Sequence, residues 1–281
     1  MVENKYIFRG ADIESSGLVS IIMLSKDQAQ YVEESVRSVM NQTYSNWELL
    51  FVDDNSKDKT ITLMMDLKDE GKIKKEDYTI IDRIKVSQTM TDRGVSVNKN
   101  GALKEARGRW IAFLDVGDIW APDKLEKQIR FMEKNGYAFS YHKYGQMNNK
   151  SQNRGVVIGG KEHVTYQDML RCCWPGNLTV MYDAEKVGKV QGRIVKSNND
   201  YALWLNISDK HDCHLLDENL ATMRTPYGVL SRFLRTDKIK WRYEVYRIEE
   251  DLGPFTSFFY TIRNGWYGIR KWMKYVKRVK R

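Results

Sequence analysis

At 281 residues, with 42% hydrophobic and 12% aromatic content, the chain can bury one large core or two modest ones, which excludes a disordered chain. No run of about 18 apolar residues is present, so a spanning helix is not expected. The start, Met1 to Gly17 with Glu3, Asp12 and Glu14, lacks the apolar stretch of a signal peptide, and the chain is expected in the cytoplasm. Of the +9 net charge, +8 falls between Leu252 and Arg281, which holds no acid.

From the N-terminus the pattern alternates strand and helix. Val19 to Leu24 reads as a strand, and Ala29 to Asn41 places Val32, Val36, Val39 and Met40 on one helix face. Trp47 to Val52 is a second strand, running into Asp53-Asp54-Asn55-Ser56. Thr60 to Leu67 reads as a helix, Tyr78 to Val86 as a strand and Val95 to Ala106 as a helix closed by Gly108. Trp110 to Leu114 is an apolar strand that runs into Asp115-Val116-Gly117-Asp118, ahead of a helix from Pro122 to Gly136. Such alternation predicts an α/β fold with a mostly parallel sheet flanked by helices. Asn148 to Arg154 is polar and reads as a loop, and His142 is expected on a strand near the sheet edge.

Ligands in open α/β sheets bind beyond the carboxyl ends of strands, where both acidic clusters fall. Carboxylates there suit a ribose, a base edge or a divalent cation bridging phosphates, so a nucleotide is the leading expectation. Cys172, Cys173 and Cys213 form an odd set without metal-type spacing, expected as buried thiols. His211-Asp212-Cys213-His214 lacks a spaced partner pair and is not expected to hold zinc.

The segments VSIIMLSKDQAQYVEESVRSVMNQTYSNWELLFVDDNSKDKT and ARGRWIAFLDVGDIWAPDKLEKQI resemble the family 2 glycosyltransferases of the GT-A fold, over roughly Val19 to Leu205. The resemblance implies an inverting transferase that moves a sugar from a nucleoside-diphosphate donor, UDP above others, to a glycan acceptor. It places Asp54, with Asp53 beside it, against the nucleotide base. FLDVGD is similar to the family's Asp-x-Asp-Asp segment, so Asp115 and Asp118 are the implied ligands of a divalent cation, Mn²⁺ or Mg²⁺, with Asp115 also at the donor. Gly117 replaces the usual middle carboxylate. TDRGVSVNKNGALKEA resembles a Gly-x-Ser-x-x-Arg-Asn stretch, with Lys99 where Arg is usual, Asn100 matching Asn, and Arg93 as a second diphosphate contact. NNDYALWL is similar to the segment that supplies the general base, which puts that role on Asp200, with Asn199 where many relatives carry Glu. Trp174 to Thr179 resembles the acceptor-side turn.

Each of these residues also has a plainer use. Asp54 suits an Asx-turn, Asp118 a turn before a helix, Asp200 a helix N-cap, and Arg93 and Lys99 a solvated loop. Trp204 reads as a core anchor. A catalytically inactive nucleotide-sugar-binding or membrane adaptor on the same fold is the alternative to an enzyme, and nucleic acid is not an expected partner.

The expected organisation is a catalytic domain over 1–230, its nucleotide-binding half at about 17–118 and its acceptor half at about 119–230, followed by a helical extension over 231–281. In that extension Ile269, Trp272, Met273, Val276 and Val279 recur at helical spacing after Phe258, Phe259, Tyr260, Trp266 and Tyr267. A basic amphipathic helix of this kind suits an anionic membrane surface. The acceptor is then expected to be a lipid-linked glycan of a surface polysaccharide, met by a peripheral protein on the inner face of the cell membrane.

Overall fold

A computed structural model describes residues 7–8, 14–73, 83–193, 199–225 and 236–278. In the first half, strands β2 (Glu14–Ser25), β3 (Trp47–Asp53), β4 (Ile84–Gln88) and β5 (Gly108–Phe113) alternate with helices α1 (Ala29–Met40), α2 (Thr60–Ile73) and α3 (Val95–Glu105). A short strand β1 (Ile7–Phe8) precedes them. β2 pairs in parallel with both β3 and β5, and β3 with β4. The seven residues of β3 are all buried, as expected for a strand covered on both faces. Successive residues point to opposite faces: Ile22, Leu50 and Phe113 join one apolar core, and Ile21, Leu49 and Ala112 join the other. Val32, Val36 and Val39 bury the inner face of α1, as their spacing predicts.

Beyond β5 the sheet becomes mixed. The elements that follow are β6 (Ile119–Trp120), α4 (Lys124–Asn135), β7 (Phe139–Met147), β8 (Asn153–Ile158), β9 (His163–Val164), α5 (Tyr166–Arg171), β10 (Met181–Asp183), α6 (Ala184–Val187), β11 (Lys189–Val190), which pairs with β1 in a separate two-stranded sheet, α7 (Asn199–Ser208) and β12 (Cys213–Arg224). β10 runs antiparallel between β5 and β7, and β12 lies parallel to β7. The last described elements are α8 (Thr236–Ile248), α9 (Pro254–Tyr275) and β13 (Val276–Arg278), the last paired antiparallel with β8. No described helix is long and apolar enough to cross a membrane.

Several boundaries differ from the sequence reading. Gly108 does not close α3 but opens β5, where a Cβ would come within 2.5 Å of the Ser20 backbone nitrogen; glycine is required by close strand packing. β4 begins at Ile84, and residues 78–82 of the expected strand lie outside the described residues. Asn153 and Arg154 belong to β8, leaving a shorter turn. His142 lies in β7 between neighbouring strands rather than near an edge, and burial, followed by the charge of Lys124, pushes its pKa down to about 3. The tail helix stops at Tyr275, because Val276 to Arg278 find backbone partners on the open edge of β8. Val279, the Asn199 side chain and the expected domain boundary near 230 lie outside the described residues.

The cysteines are free thiols, and burial pushes Cys173 up to about 12. His214 stacks on Tyr137 at 3.6 Å between ring centroids, while Asp212 bonds to His163 at 2.6 Å. Trp204 is buried against Phe113 and Phe139, a core anchor as read.

Candidate active site

The acidic clusters meet at the carboxyl ends of the parallel strands. The Asp54 backbone N–H donates to the Ser25 carbonyl at 2.9 Å, and the Val116 N–H to the Leu24 carbonyl at 3.1 Å, so the two acidic loops flank the end of β2. Asp54 and Asp115 line one cavity of about 220 Å³ with Leu24, Ser25, Gln28 and Asn98. This placement follows from parallel topology: each strand ends at the same sheet edge, and the polar residues that terminate it are carried there together.

Around Asp54 the loop is rigidly bonded. Its Oδ1 accepts from Asn98 Nδ2 at 2.8 Å, the Arg93 N–H at 3.0 Å and the Thr89 hydroxyl at 3.3 Å. Asp53 is fully buried, accepting from the Ser56 N–H at 2.8 Å and Gln88 Nε2 at 3.3 Å; it shapes the loop on which Asp54 is mounted. Asp58 of the same motif accepts from the N–H groups of Ala29 and Thr60, both at 2.9 Å, satisfying donors at the starts of α1 and α2. Arg93 is exposed; a described bond ties its backbone into the loop, and it lines a separate cavity of about 330 Å³ with Ser87, Gln88 and Thr89 rather than the one shared by Asp54 and Asp115.

Lys99, one residue beyond Asn98, turns to the start of α7. It is buried, its ammonium paired with the Asp200 carboxylate and 3.4 Å from Asn177 Oδ1. Asn177 in turn donates to Asp115 Oδ2 at 2.9 Å. Asp115, Asn177, Lys99 and Asp200 thus form one continuous chain from the second acidic loop to the start of α7. Burial opposes the charge on Lys99, but Asp200 and Asp115 more than offset it, and its pKa lies above the ordinary value. Burial raises the pKa of Asp115, against the pull of Lys99. Lys99, expected at the diphosphate, has its ammonium engaged by the candidate base.

The loop from Asp115 to Asp118 needs Gly117, whose φ of 106° is a backbone state that side chains rarely adopt. Ser35 donates to the Asp118 carbonyl at 2.8 Å and accepts from the Gly117 N–H at 2.9 Å. Asp118 Oδ1 accepts from the Arg224 N–H at 2.9 Å, and Arg224 Nε donates to the Gly117 carbonyl at 2.9 Å. Arg224 also pairs with Glu34 and lies 4.1 Å from the Tyr31 ring centroid.

A divalent cation implied by the fold can be tested against these groups. Among the described residues Asp115 Oδ1 is buried without a hydrogen-bond partner, which leaves it available to a cation. One oxygen of Asp118 is bonded to the Arg224 backbone, and among the described residues no group of three or more His, Cys, Asp or Glu side chains gathers. Few protein ligands are enough for a cation completed by phosphate oxygens and water, so the donor set fits.

Asn98 and Arg224 escape sequence reasoning. The motif resemblance points to Asn100 and passes over Asn98, yet it is Asn98 that holds Asp54, while Asn100 bonds the Gly192 backbone at 2.7 and 3.2 Å. Arg224 lies 107 positions from Gly117, a contact only the fold creates.

Comparison with known proteins places this geometry. The model of glycosyl transferase family 2 matches residues 20–191. The Bacillus subtilis protein TuaG, named for teichuronic acid biosynthesis, is 37% identical over 194 residues, covering 69% of this chain and 73% of TuaG. The Escherichia coli protein named UDP-Glc:alpha-D-GlcNAc-diphosphoundecaprenol beta-1,3-glucosyltransferase WfgD is 33% identical over 262 residues, covering 90% of this chain and 94% of WfgD. Among solved structures, S. aureus TarS 1–349 in complex with UDP-GlcNAc aligns with a TM-score of 0.61 at 19% identity, over 85% of this chain and 69% of TarS. A Pyrobaculum calidifontis mannosyltransferase in complex with GDP-Man and Mn²⁺ aligns with a TM-score of 0.60 at 12% identity, over 90% and 72%. A parallel-to-mixed sheet with both acidic loops at one edge and a family match running through both of them lead to one conclusion: this chain is a glycosyltransferase and belongs to glycosyl transferase family 2.

Proposed function

We propose that this glycosyltransferase moves a sugar, with inversion, from a UDP-sugar to a lipid-linked glycan acceptor in surface polysaccharide assembly, with Asp200 as general base. The observation that carries the reading is the chain of side chains joining Asp115, through Asn177 and Lys99, to Asp200. It ties the base to the donor cavity across segments far apart in sequence. The names of WfgD and TuaG support a lipid diphosphate acceptor and a cell-surface polymer, and the UDP-GlcNAc complex of TarS supports the nucleotide.

In this mechanism Asp54 accepts from the imide N–H of uracil, using a carboxylate's acceptor-only character. Asp200, whose side chain is 35% exposed, is open to the incoming acceptor hydroxyl and removes its proton as the oxygen attacks the anomeric carbon. One displacement inverts the anomeric centre. Lys99 holds the Asp200 carboxylate in place and leaves one of its oxygens free for the acceptor. Arg93, on the loop that holds Asp54, is assigned to the diphosphate. Asp115, with Asp118 beside it, would hold a Mn²⁺ or Mg²⁺ ion, which when bound supplies electrostatic stabilisation of the leaving diphosphate. The protein works as a peripheral enzyme at the inner membrane face, where its acceptor resides.

The test is Asp200→Asn, assayed for UDP release from UDP-glucose with Mn²⁺ and an N-acetylglucosamine diphosphate lipid acceptor. Loss of the base lowers kcat by about 10³-fold, while the calorimetric Kd for UDP stays within about twofold. Wild-type turnover in this variant refutes Asp200 as the base.

A further inference from the structure

The tail helix α9 is built inside out. Its inward face carries Ser257, Thr261, Asn264 and Gly268, all buried and all small or polar. Its outward face carries Phe255, Phe258, Phe259, Ile262, Trp266 and Met273, which are 59% to 90% exposed. These residues follow i, i+3, i+4, i+7, i+11 and i+18 spacing, one stripe about 27 Å long. A water-facing stripe of this kind marks an interaction surface. Arg270, Lys274, Lys277 and Arg278 are exposed at its C-terminal end, and no acid lies between Leu252 and Arg281. That charge favours an anionic bilayer and opposes a second copy of the same face, which would bring two such basic segments together.

The inward face grips the catalytic network at two places. Asn264 Nδ2 donates to the hydroxyls of Tyr201 at 3.1 Å and Tyr246 at 3.0 Å, and these bond to the Met169 and Leu170 carbonyls at 2.8 and 2.7 Å. Tyr201 follows Asp200 directly on α7. Farther along, Lys271 donates to the Cys173 carbonyl at 3.0 Å and to the Trp174 carbonyl, at the start of the turn that presents Asn177. The helix is held to the body by these polar contacts together with Tyr260 and Tyr275, whose rings meet Tyr246 and Trp174 edge-on, while the exposed Phe, Ile, Trp and Met side chains of the outward stripe are left for another partner.

We infer that the bilayer is a working part of this enzyme: the outward stripe of α9 beds into an anionic membrane, and the seated helix fixes Asp200 and the Asn177 turn for catalysis. This rests on the reading of Asp200 as the base. Bilayer contact supplies the apolar half of the helix's docking and shifts the chain toward the conformation in which both grips are made. Turnover is thus highest where the lipid-linked acceptor is found.

The test uses the full chain with UDP-glucose and a short-chain, water-soluble N-acetylglucosamine diphosphate acceptor, so that vesicles are not needed to deliver substrate. Phosphatidylglycerol vesicles are expected to sediment the protein and raise kcat by about tenfold, and pure phosphatidylcholine vesicles to do neither. Replacing Phe258, Phe259, Ile262 and Trp266 together by Ser removes sedimentation and stimulation but leaves turnover without vesicles unchanged. Asn264→Leu keeps sedimentation yet loses stimulation, lowering kcat without moving KM for UDP-glucose; should it fail to fold, Lys271→Met carries the same readout. Unchanged sedimentation of the serine variant, or bound vesicles without a change in kcat, overturns the inference. So does a dimer in solution that the serine substitutions dissociate. Vesicle binding through the stripe with no UDP-glucose turnover under any condition overturns the glycosyl-transfer reading instead, and the coupling with it.

Discussion

Asp54 and Asp200 are carboxylates at the two ends of the proposed donor–acceptor path, and they are held in opposite ways. Asp54 is 9% exposed, its Oδ1 crowded by donors from Thr89, Arg93 and Asn98. Asp200 sits in the first turn of α7 with its side chain 35% exposed and one described ion pair, to Lys99. The difference matches the tasks proposed for them. A group that recognises a base gains from being fixed before binding, whereas a base must keep a lone pair open to the acceptor.

Removing the partner that holds Asp200 gives the sharpest contrast. Lys99→Met is expected to lower kcat by about 100-fold in the UDP-glucose assay, while Kd for UDP moves far less, because the base loses its orientation and Asp115 its neighbouring cation. An effect confined to Kd would instead put Lys99 at the diphosphate. Asp54→Asn should do the reverse, weakening UDP binding by about tenfold in calorimetry through loss of a charged acceptor and leaving kcat at saturation nearly intact.

Stability separates the two halves of the molecule as well. Glu48 is buried in β3, 3.1 Å from Lys85 and 3.2 Å from Arg107. Burial would raise its pKa, but Ser20, the Arg107 N–H and Lys85 bring it below the ordinary value. A depressed carboxyl stabilises the fold above its unfolded pKa, near 4.3, and that contribution fades as pH falls through the folded value. Glu48→Gln is expected to cost about 2 kcal/mol in urea unfolding at pH 7, its cationic partners being partly solvated, with the gap closing below about pH 4.

The smallest effect is expected on the other side of the sheet, at Lys124, which is buried 3.9 Å from the Trp120 ring centroid with no hydrogen-bond partner for its ammonium among the described residues. Burial pushes its pKa well down, so the unfolded chain binds more protons and this group costs stability that is regained as pH rises. Lys124→Met should change stability by less than about 1 kcal/mol, in the stabilising direction, most visibly at lower pH in thermal melts.

Much of the first half was legible because parallel βα units write themselves locally. The apolar run at Trp47–Asp53 and the valines of α1 each announce an element without help from distant residues. The motif residues Asp54, Asp115 and Asp200 were legible as types of group in suitable places. Their couplings were not: Asn177, Lys99 and Asp200 meet only after the sheet has been assembled, and the motif singled out Asn100, which bonds Gly192, rather than Asn98, which holds Asp54. The tail departed from its reading at one point. Its helical period holds to Tyr275, but Val276, read as part of the same stripe, pairs with Ile158 of β8, a strand edge that periodicity does not announce.

By itself, then, the amino-acid order determined the alternation of strand and helix, the acidic ends of two strands and the basic end of the chain, all of which depend on residues close together. Tertiary structure decided that Lys99 turns to Asp200, that Arg224 braces the Gly117 loop, and that α9 puts its aromatics outward. Those outcomes depend on which surfaces of separately folded segments meet, and packing of that kind is set by the whole chain at once.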